Sequence, residues 1–316
     1  MKIVITGSIA FDYLMHYPGK FRDSFIAEQL HQISLSFLVD SMQKHPGGTA
    51  PNIAYTIALL GGHPTVMATA GQDFASYRAQ LEANGVDTSA ILTIEDDFTA
   101  SFFVNTDDEQ NQIATFYTGA MAYAKELTFA QYAPDADLTI ISPNDPTAMS
   151  NYAEECRQLG IPFIYDPSQQ TARVSGEELA AGLKGCAMLT VNDYEYNLIK
   201  EKTGLNDAGL REQIGGLLVT QGKEGALLWA DGEEYHIPVV PPREIKEPTG
   251  VGDAFRAGLM RGMQLGLPWP IAGRMGALAA TYVLENVGTQ NHSFTPAEFV
   301  ARYREYFDDD GALDSL

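Results

Sequence analysis

The sequence predicts an α/β fold: a mostly parallel sheet with helices on both faces, and a small β-sheet lid projecting from it. Three observations predict it. Short β-rich runs alternate with helical patterns along most of the chain, the order that joins parallel strands through crossover helices. Runs such as Leu138–Ile141 are apolar throughout, as strands covered on both faces are. Two stretches, 13–45 and 91–118, interrupt the alternation with β-rich segments of their own.

Ile3–Thr6 reads as the first strand. Its apolar run is short and soon meets Asp12, which argues against a signal peptide. Thr65–Ala70, Leu138–Ser142, Phe163–Tyr165, Met188–Val191 and Leu217–Thr220 continue the sheet. Helical patterns cover Asn52–Leu60, Phe74–Asn84, Asn151–Leu159, Tyr194–Lys202, Ala254–Leu265 and Ala272–Leu284. The core is expected over 1–12, 46–90 and 119–316. In the lid, Ile33–Val39 (ISLSFLV) begins with period-two alternation. Thr99–Asn105 and Gln112–Thr118 flank the polar turn Asp107–Asn111 and read as a hairpin. Such a sheet leaves Phe37, Phe102, Phe103 and Phe116 exposed unless a substrate or a second subunit covers them.

The chain has 316 residues, and 20 Lys+Arg against 41 Asp+Glu give a net charge of −21. A surface that negative repels phosphate backbones and anionic lipid heads, so nucleic acid and membranes are not expected partners. One small anion in a locally positive pocket stays compatible with it. Hydrophobic residues make up 45% of the chain, enough for a sizeable core. Cys156 and Cys186 are too few for a disulfide framework and read as buried thiols. No apolar run reaches the roughly 18 residues of a membrane span. A cytoplasmic protein is expected. The acidic tail Asp308–Leu316 reads as frayed.

The segment richest in chemistry is Glu247–Leu259 (EPTGVGDAFRAGL). Gly250 and Gly252 precede a helical pattern that Asp253 opens. Backbone N–H groups at a helix start, with the positive end of the helix dipole, suit a transferring phosphoryl group. A carboxylate there is repulsive to phosphate unless it takes a proton from an attacking hydroxyl. The same residues would also serve as an Asp cap after a Gly-rich turn. The chain has no Walker A motif.

Thr249–Phe255 (TGVGDAF) resembles the C-terminal signature of the ribokinase-like (phosphofructokinase-B) carbohydrate and nucleoside kinases. Gly47-Gly48-Thr49-Ala50-Pro51-Asn52 resembles that family's Gly-Gly signature. Asn192-Asp193-Tyr194-Glu195 resembles its N-x-x-E motif, and Thr220 to Gly225 (TQGKEG) its T-x-G-x-x-G loop. Within the family, GSIAFDYLM, SLSFLVD, DPSQQTARVSGEE and VLENVGTQ look like the bacterial adenosine kinases. The likeness runs from about residue 1 to about 295. It implies ATP with Mg²⁺, and phosphorylation of the 5′-hydroxyl of adenosine or a related nucleoside.

The resemblance assigns roles by position. Asp253 matches the catalytic base, and Gly250, Val251 and Gly252 the backbone of the anion hole. Asp12 matches the aspartate on the ribose hydroxyls; a carboxylate can accept two neighbouring O–H donors. Gly48 and Asn52 match further sugar contacts, and Ser8 and Ser36 are expected near the substrate. Phe102 and Phe116 look like lid aromatics that would stack on a purine. Gln169 and Gln170 would read a purine edge, and Arg173 would meet phosphate. Asn192 and Glu195 match the motif that organises Mg²⁺ and the ATP phosphates, Glu195 through water. As a helix cap and its partner three residues on, they also fit a purely structural role. Thr220, Gly222 and Gly225 are expected along ATP, Gly288 and Gln290 beside the adenine. Many relatives respond to a monovalent cation, for which the sequence singles out no ligand.

Departures from the family pattern are Glu247-Pro248, where many members have Asp-Thr, Val251 in place of Ala, and Pro51 directly before Asn52. Two other readings compete: a sugar kinase for ribose or fructose on the same core, and a silent nucleoside-binding regulator. A homodimer through the lid is expected from the same likeness.

Overall fold

The computed structural model describes residues 1–25 and 34–316. In this range the strands are β1 (Ile3–Thr6), β2 (Ala10–Tyr17), β3 (Ser41–Gly47), β4 (Thr65–Gly71), β5 (Ile91–Ile94), β6 (Ala100–Asp107) and β7 (Gln112–Tyr117). They continue with β8 (Leu138–Ile141), β9 (Phe163–Tyr165), β10 (Met188–Asn192), β11 (Gly216–Thr220), β12 (Ala226–Ala230) and β13 (Glu233–Ile237).

The large sheet runs β13-β12-β11-β10-β9-β8-β1-β4-β5. From β5 to β11 the pairing is parallel; β12 and β13 add an antiparallel edge. Successive side chains of β1 explain why both faces are covered. Ile3 and Ile5 join one core with Ile53, Ile57, Phe255 and Leu259, while Val4 joins the opposite core with Tyr152, Cys156 and Leu183. Cys156 and Cys186 are buried, and burial pushes both thiols up to about 12.

The predicted helices are present, most with earlier starts. The helix Pro146–Leu159 begins at the Asp145 cap with Pro at its first position, where a missing N–H costs nothing. The tail departs from expectation. Leu313 is buried, its N–H donates to Asp309 Oδ2, and Arg304 bonds both Asp309 and Asp314.

The second sheet runs β3-β2-β6-β7. The hairpin expected over 91–118 is β6–β7, with Phe102 opposite Phe116. Three boundaries differ from the sequence reading. Ile91–Ile94 pairs with β4 in the large sheet and is not lid. Of the expected strand Ile33–Val39, Ile33 lies outside the described residues and 34–39 form no strand; Ser41–Gly47 takes that place against β2. Pro46 is tolerated there because β3 is an edge strand, paired on one side only. The lid also begins earlier than residue 13, since β2 starts at Ala10 and carries Asp12. A one-turn helix, Phe21–Ser24, lies where no helix was expected.

Candidate functional site

Parallel strands deliver their C-terminal ends to one side of a sheet, where ligands bind in open α/β folds. Here Ser8 follows β1, Pro143 follows β8, Ser168 follows β9, and β10 and β11 end in Asn192 and Thr220. All five line one cleft of about 670 Å³. The lid sheet supplies its other wall.

Four lid residues lie abreast. Asp12 of β2 stands between His45 of β3 and Phe102 of β6, and Phe102 faces Phe116 of β7. All four line the cleft. Side chains alternate along a strand, so Phe103 falls on the outer face, where it stacks on Tyr13 at 4.7 Å. Asp12 backs onto Gly47, where an added Cβ would come within 2.6 Å of its Oδ2. Burial pushes the Asp12 carboxyl up to about 6; His45 pulls it down and Glu247 pushes it up.

The helix Val251–Gln264 starts at the cleft. Its cap, Gly250, has φ +79°, and a Cβ there would also lie 2.9 Å from Thr289 Cγ2, so glycine is required twice over. First-turn N–H groups have no helical acceptor. Gly250 and Gly252 line the cleft. Val251 does not: its N–H turns back to the Pro248 carbonyl at 3.4 Å, and its side chain packs against the core. Of the three residues expected in the anion hole, it is the one outside the lining.

Asp253 is 9% exposed and gripped on both oxygens. Asn52 Nδ2 donates to Oδ2 at 2.9 Å, and Arg256 Nη1 to Oδ1 at 3.4 Å. Arg256 also donates to Asp166 Oδ1 at 2.6 Å, a pair buried at the end of β9. Burial raises the Asp253 carboxyl above its ordinary range, against the lowering pull of Arg256 and the Asn52 bond. Burial opposes the charge on Arg256, but Asp166 and Asp253 outweigh it and hold the guanidinium protonated.

The structure gathers Ser8, Asp12, Gly48, Asn52, Phe102, Phe116, Gln169, Gln170, Arg173, Asn192, Glu195, Thr220 and Gly288 around the same cleft as Gly250, Gly252 and Asp253. Asn192 and Glu195 form a reciprocal helix cap, at 2.8 and 2.9 Å, and also line the cleft, so capping does not take them away from it. Besides Val251, four expected residues are not in the lining. Ser36 is exposed in a segment without regular structure. Gly222 is exposed beyond β11, and Gly225 is buried in the turn to β12, where an added Cβ would clash with the Ile237 carbonyl. Gln290 lies behind Asn52, its Nε2 2.9 Å from Asn52 Oδ1.

Sequence reasoning passed over Arg256 and Asp166. A signal existed for each. Arg256 follows Asp253 by three residues, one helical turn away on the same face. Asp166 opens the DPSQQ segment at a strand end. His45, which was not singled out, also lines the cleft, as does Glu247, noted only as a departure from the family pattern.

Among the described residues no group of three or more His, Cys, Asp or Glu is arranged around a metal. Mg²⁺ carried on phosphates needs few protein ligands, because it keeps several waters. Glu195 in the lining and the buried, unpartnered Oδ2 of Asp166 supply oxygens of the right kind. That donor set fits a phosphate-borne Mg²⁺ better than a dedicated cage.

A wide parallel sheet with its cleft at the strand ends, roofed by a four-stranded lid, is the ribokinase-like architecture. Residues 10–297 match the profile of the pfkB family carbohydrate kinases, and the chain belongs to that family. It is 32% identical over 305 residues to a nucleoside kinase of Methanothermobacter thermautotrophicus, covering 95% of each chain. The nucleoside kinase of Burkholderia thailandensis, solved with ADP and inosine, is 35% identical; 96% of each chain is covered at a TM-score of 0.84. The Methanocaldococcus jannaschii nucleoside kinase, described as an archaeal member of the ribokinase family, is 25% identical. It superposes at a TM-score of 0.84 over 97% of this chain and 99% of that one.

Proposed function

We propose that this chain is an ATP-dependent nucleoside kinase that transfers the γ-phosphoryl group to the 5′-hydroxyl of a purine nucleoside, with adenosine as its substrate. One observation carries the reading: Asp253 stands at a helix start, held on both oxygens, facing a cleft whose opposite wall presents Asp12 beside Phe102 and Phe116. A carboxylate beside an aromatic wall suits a ribose diol attached to a flat base. With the 2′- and 3′-hydroxyls on Asp12, the primary 5′-hydroxyl is the nucleophile left. A bare sugar would leave the two rings uncovered. The relatives' nucleosides support the class, and inosine, held by the Burkholderia enzyme, is the second substrate to test.

In this reading the 5′-oxygen attacks the γ-phosphorus in line and forms the new O–P bond. The bond from the γ-phosphorus to the bridging oxygen breaks, and its electron pair leaves with ADP. Asp253 takes the hydroxyl proton. The N–H groups of Gly250 and Gly252 face the charge on the transferred group. Asn52 and Arg256 keep the Asp253 carboxylate in place, and the lid excludes water that would otherwise compete. Mg²⁺, when bound with ATP, would neutralise phosphate charge. A second copy of the chain is proposed to cover the lid's outer face.

The test is ADP release with a panel of adenosine, inosine, ribose and fructose, for the unaltered chain and for Asp253→Asn. The expected result is turnover with adenosine and a loss of about 10²–10⁴-fold in Asp253→Asn, the range for a positioned acid or base. Turnover with sugars alone would replace the nucleoside reading. Near-normal turnover in Asp253→Asn would remove the base.

A further inference from the structure

The cleft accounts for Asn52 and Asp253. It does not account for two buried polar side chains behind them. Tyr77, on the helix Ala75–Ala83, is 2% exposed, and Gln290 is 5% exposed. Four hydrogen bonds join them into a line. Tyr77 Oη donates to the Gly47 carbonyl at 3.1 Å. Gln290 Nε2 donates to Tyr77 Oη at 2.5 Å and to Asn52 Oδ1 at 2.9 Å. Asn52 Nδ2 donates to Asp253 Oδ2 at 2.9 Å.

The direction of the line follows from one end. A carbonyl only accepts, so the Tyr77 proton goes to Gly47. Burial holds that phenol protonated. The Tyr77 oxygen must then accept, and the group facing it is the NH₂ of Gln290. The second proton of that NH₂ goes to Asn52, which presents its oxygen there and its own NH₂ to Asp253. We propose that Tyr77 and Gln290 are positioning residues that fix the amide orientation of Asn52 and so hold Asp253 as the carboxylate that accepts the substrate proton. This rests on Asp253 being the base.

The reverse polarity shows what is at stake. Gln290 Oε1 is buried without a partner. If the line reversed, that oxygen would accept from Tyr77 and Asn52, and the Gly47 carbonyl would lose its donor. Asn52 would then turn Oδ1 onto Asp253, which suits a protonated carboxyl and repels a carboxylate. The bond to Gly47 is what favours the working polarity. Gly47 ends lid strand β3 directly behind Asp12, so the residue backing the proposed ribose carboxylate also anchors the base.

Other charges face Asp253 or the cleft around it. Arg256 bonds it from its own helix, with Asp166 of the β9 end and Glu195 of the Asp193–Thr203 helix beyond. Asp12 and His45 lie on the lid wall, and Glu247 on the loop before the helix. None of these groups bonds Gln290 or Tyr77, so a pH profile moved by changing either one reports the relay.

The experiment measures kcat for adenosine at saturating ATP from pH 5 to 9 for the unaltered enzyme, Gln290→Leu, Tyr77→Phe and Asp253→Asn. Without its oriented donor Asp253 protonates more readily, so the acid limb of kcat moves to higher pH. In Gln290→Leu the expected displacement is about one pH unit, giving about tenfold lower kcat on that limb and near-recovery at pH 9. Tyr77→Phe keeps the ring and should move the limb the same way by less; it carries the test if Gln290→Leu does not fold. KM for adenosine should change less than kcat. A limb that stays put, or a loss equal at every pH, overturns the relay. An active Asp253→Asn would instead overturn the base itself.

Discussion

Asp12 is asked to be both charged and partly buried. Its ordinary carboxyl value of 3.8 rises to about 6 in the folded chain, chiefly by burial. The sign follows from linkage. The folded state binds a proton more tightly than the unfolded chain, so ionised Asp12 costs stability at pH 7, and the cost fades as pH falls from about 6 to about 4. Asp12→Asn should raise the melting temperature at pH 7 by the equivalent of about 1–2 kcal/mol, with the gap closing near pH 4. The same change should raise KM for the nucleoside at least about tenfold, because one strong acceptor for two hydroxyls is lost. Thermal melts at two pH values and a KM measurement check both halves. A variant both more stable and less able to bind is the signature of a residue kept for its ligand.

The row His45, Asp12, Phe102, Phe116 crosses the lid one residue per strand, so register alone aligns acceptor and rings. Phe102→Ala and Phe116→Ala should each raise KM for adenosine by about 5- to 100-fold, the worth of one stacked base, with KM for ATP nearly unchanged. Equal effects on both KM values would mean the rings only hold the lid together. The hairpin that carries these rings was legible because its strands alternate around a polar turn. Strand β3 was not. Its sequence, SMQKHPG, is polar and contains Pro, and pairing with β2 makes it a strand. The neighbouring ISLSFLV has the better pattern but forms no strand over 34–39. The site divides the same way. Asp253, Asn52 and Asp12 sit at element ends in recognisable segments. Tyr77 and Asp166 gain their roles only from what the fold brings beside them. Gln290 was placed by motif near the adenine, whereas its packing direction, which no motif encodes, turns it to Asn52.

At the scale of the whole molecule, the net charge of −21 and the proposed handling of ATP are reconciled inside the cleft, where Arg256, Arg173 and helix-start N–H groups face inward. The outer face of the lid poses the opposite problem. Tyr13 and Phe103 stack there, next to Phe98, 55% exposed, and Tyr117, 45% exposed, around a surface hollow. A contiguous aromatic patch on a strongly charged surface is the kind another protein surface covers. Two copies meeting through it would bury rings and brace both lids, while repulsion between two acidic chains opposes the pairing and weakens as salt screens it. Light scattering at micromolar protein should therefore give twice the 34.4 kDa chain mass, with the dimer tightening as salt rises. Phe103→Asp places a charge in that face without touching the cleft lining. It should give a monomer whose KM for the nucleoside rises, because the lid has lost its brace, while kcat at saturation changes less. A monomer mass for the unaltered chain at both low and high salt would mean that no second copy covers the lid.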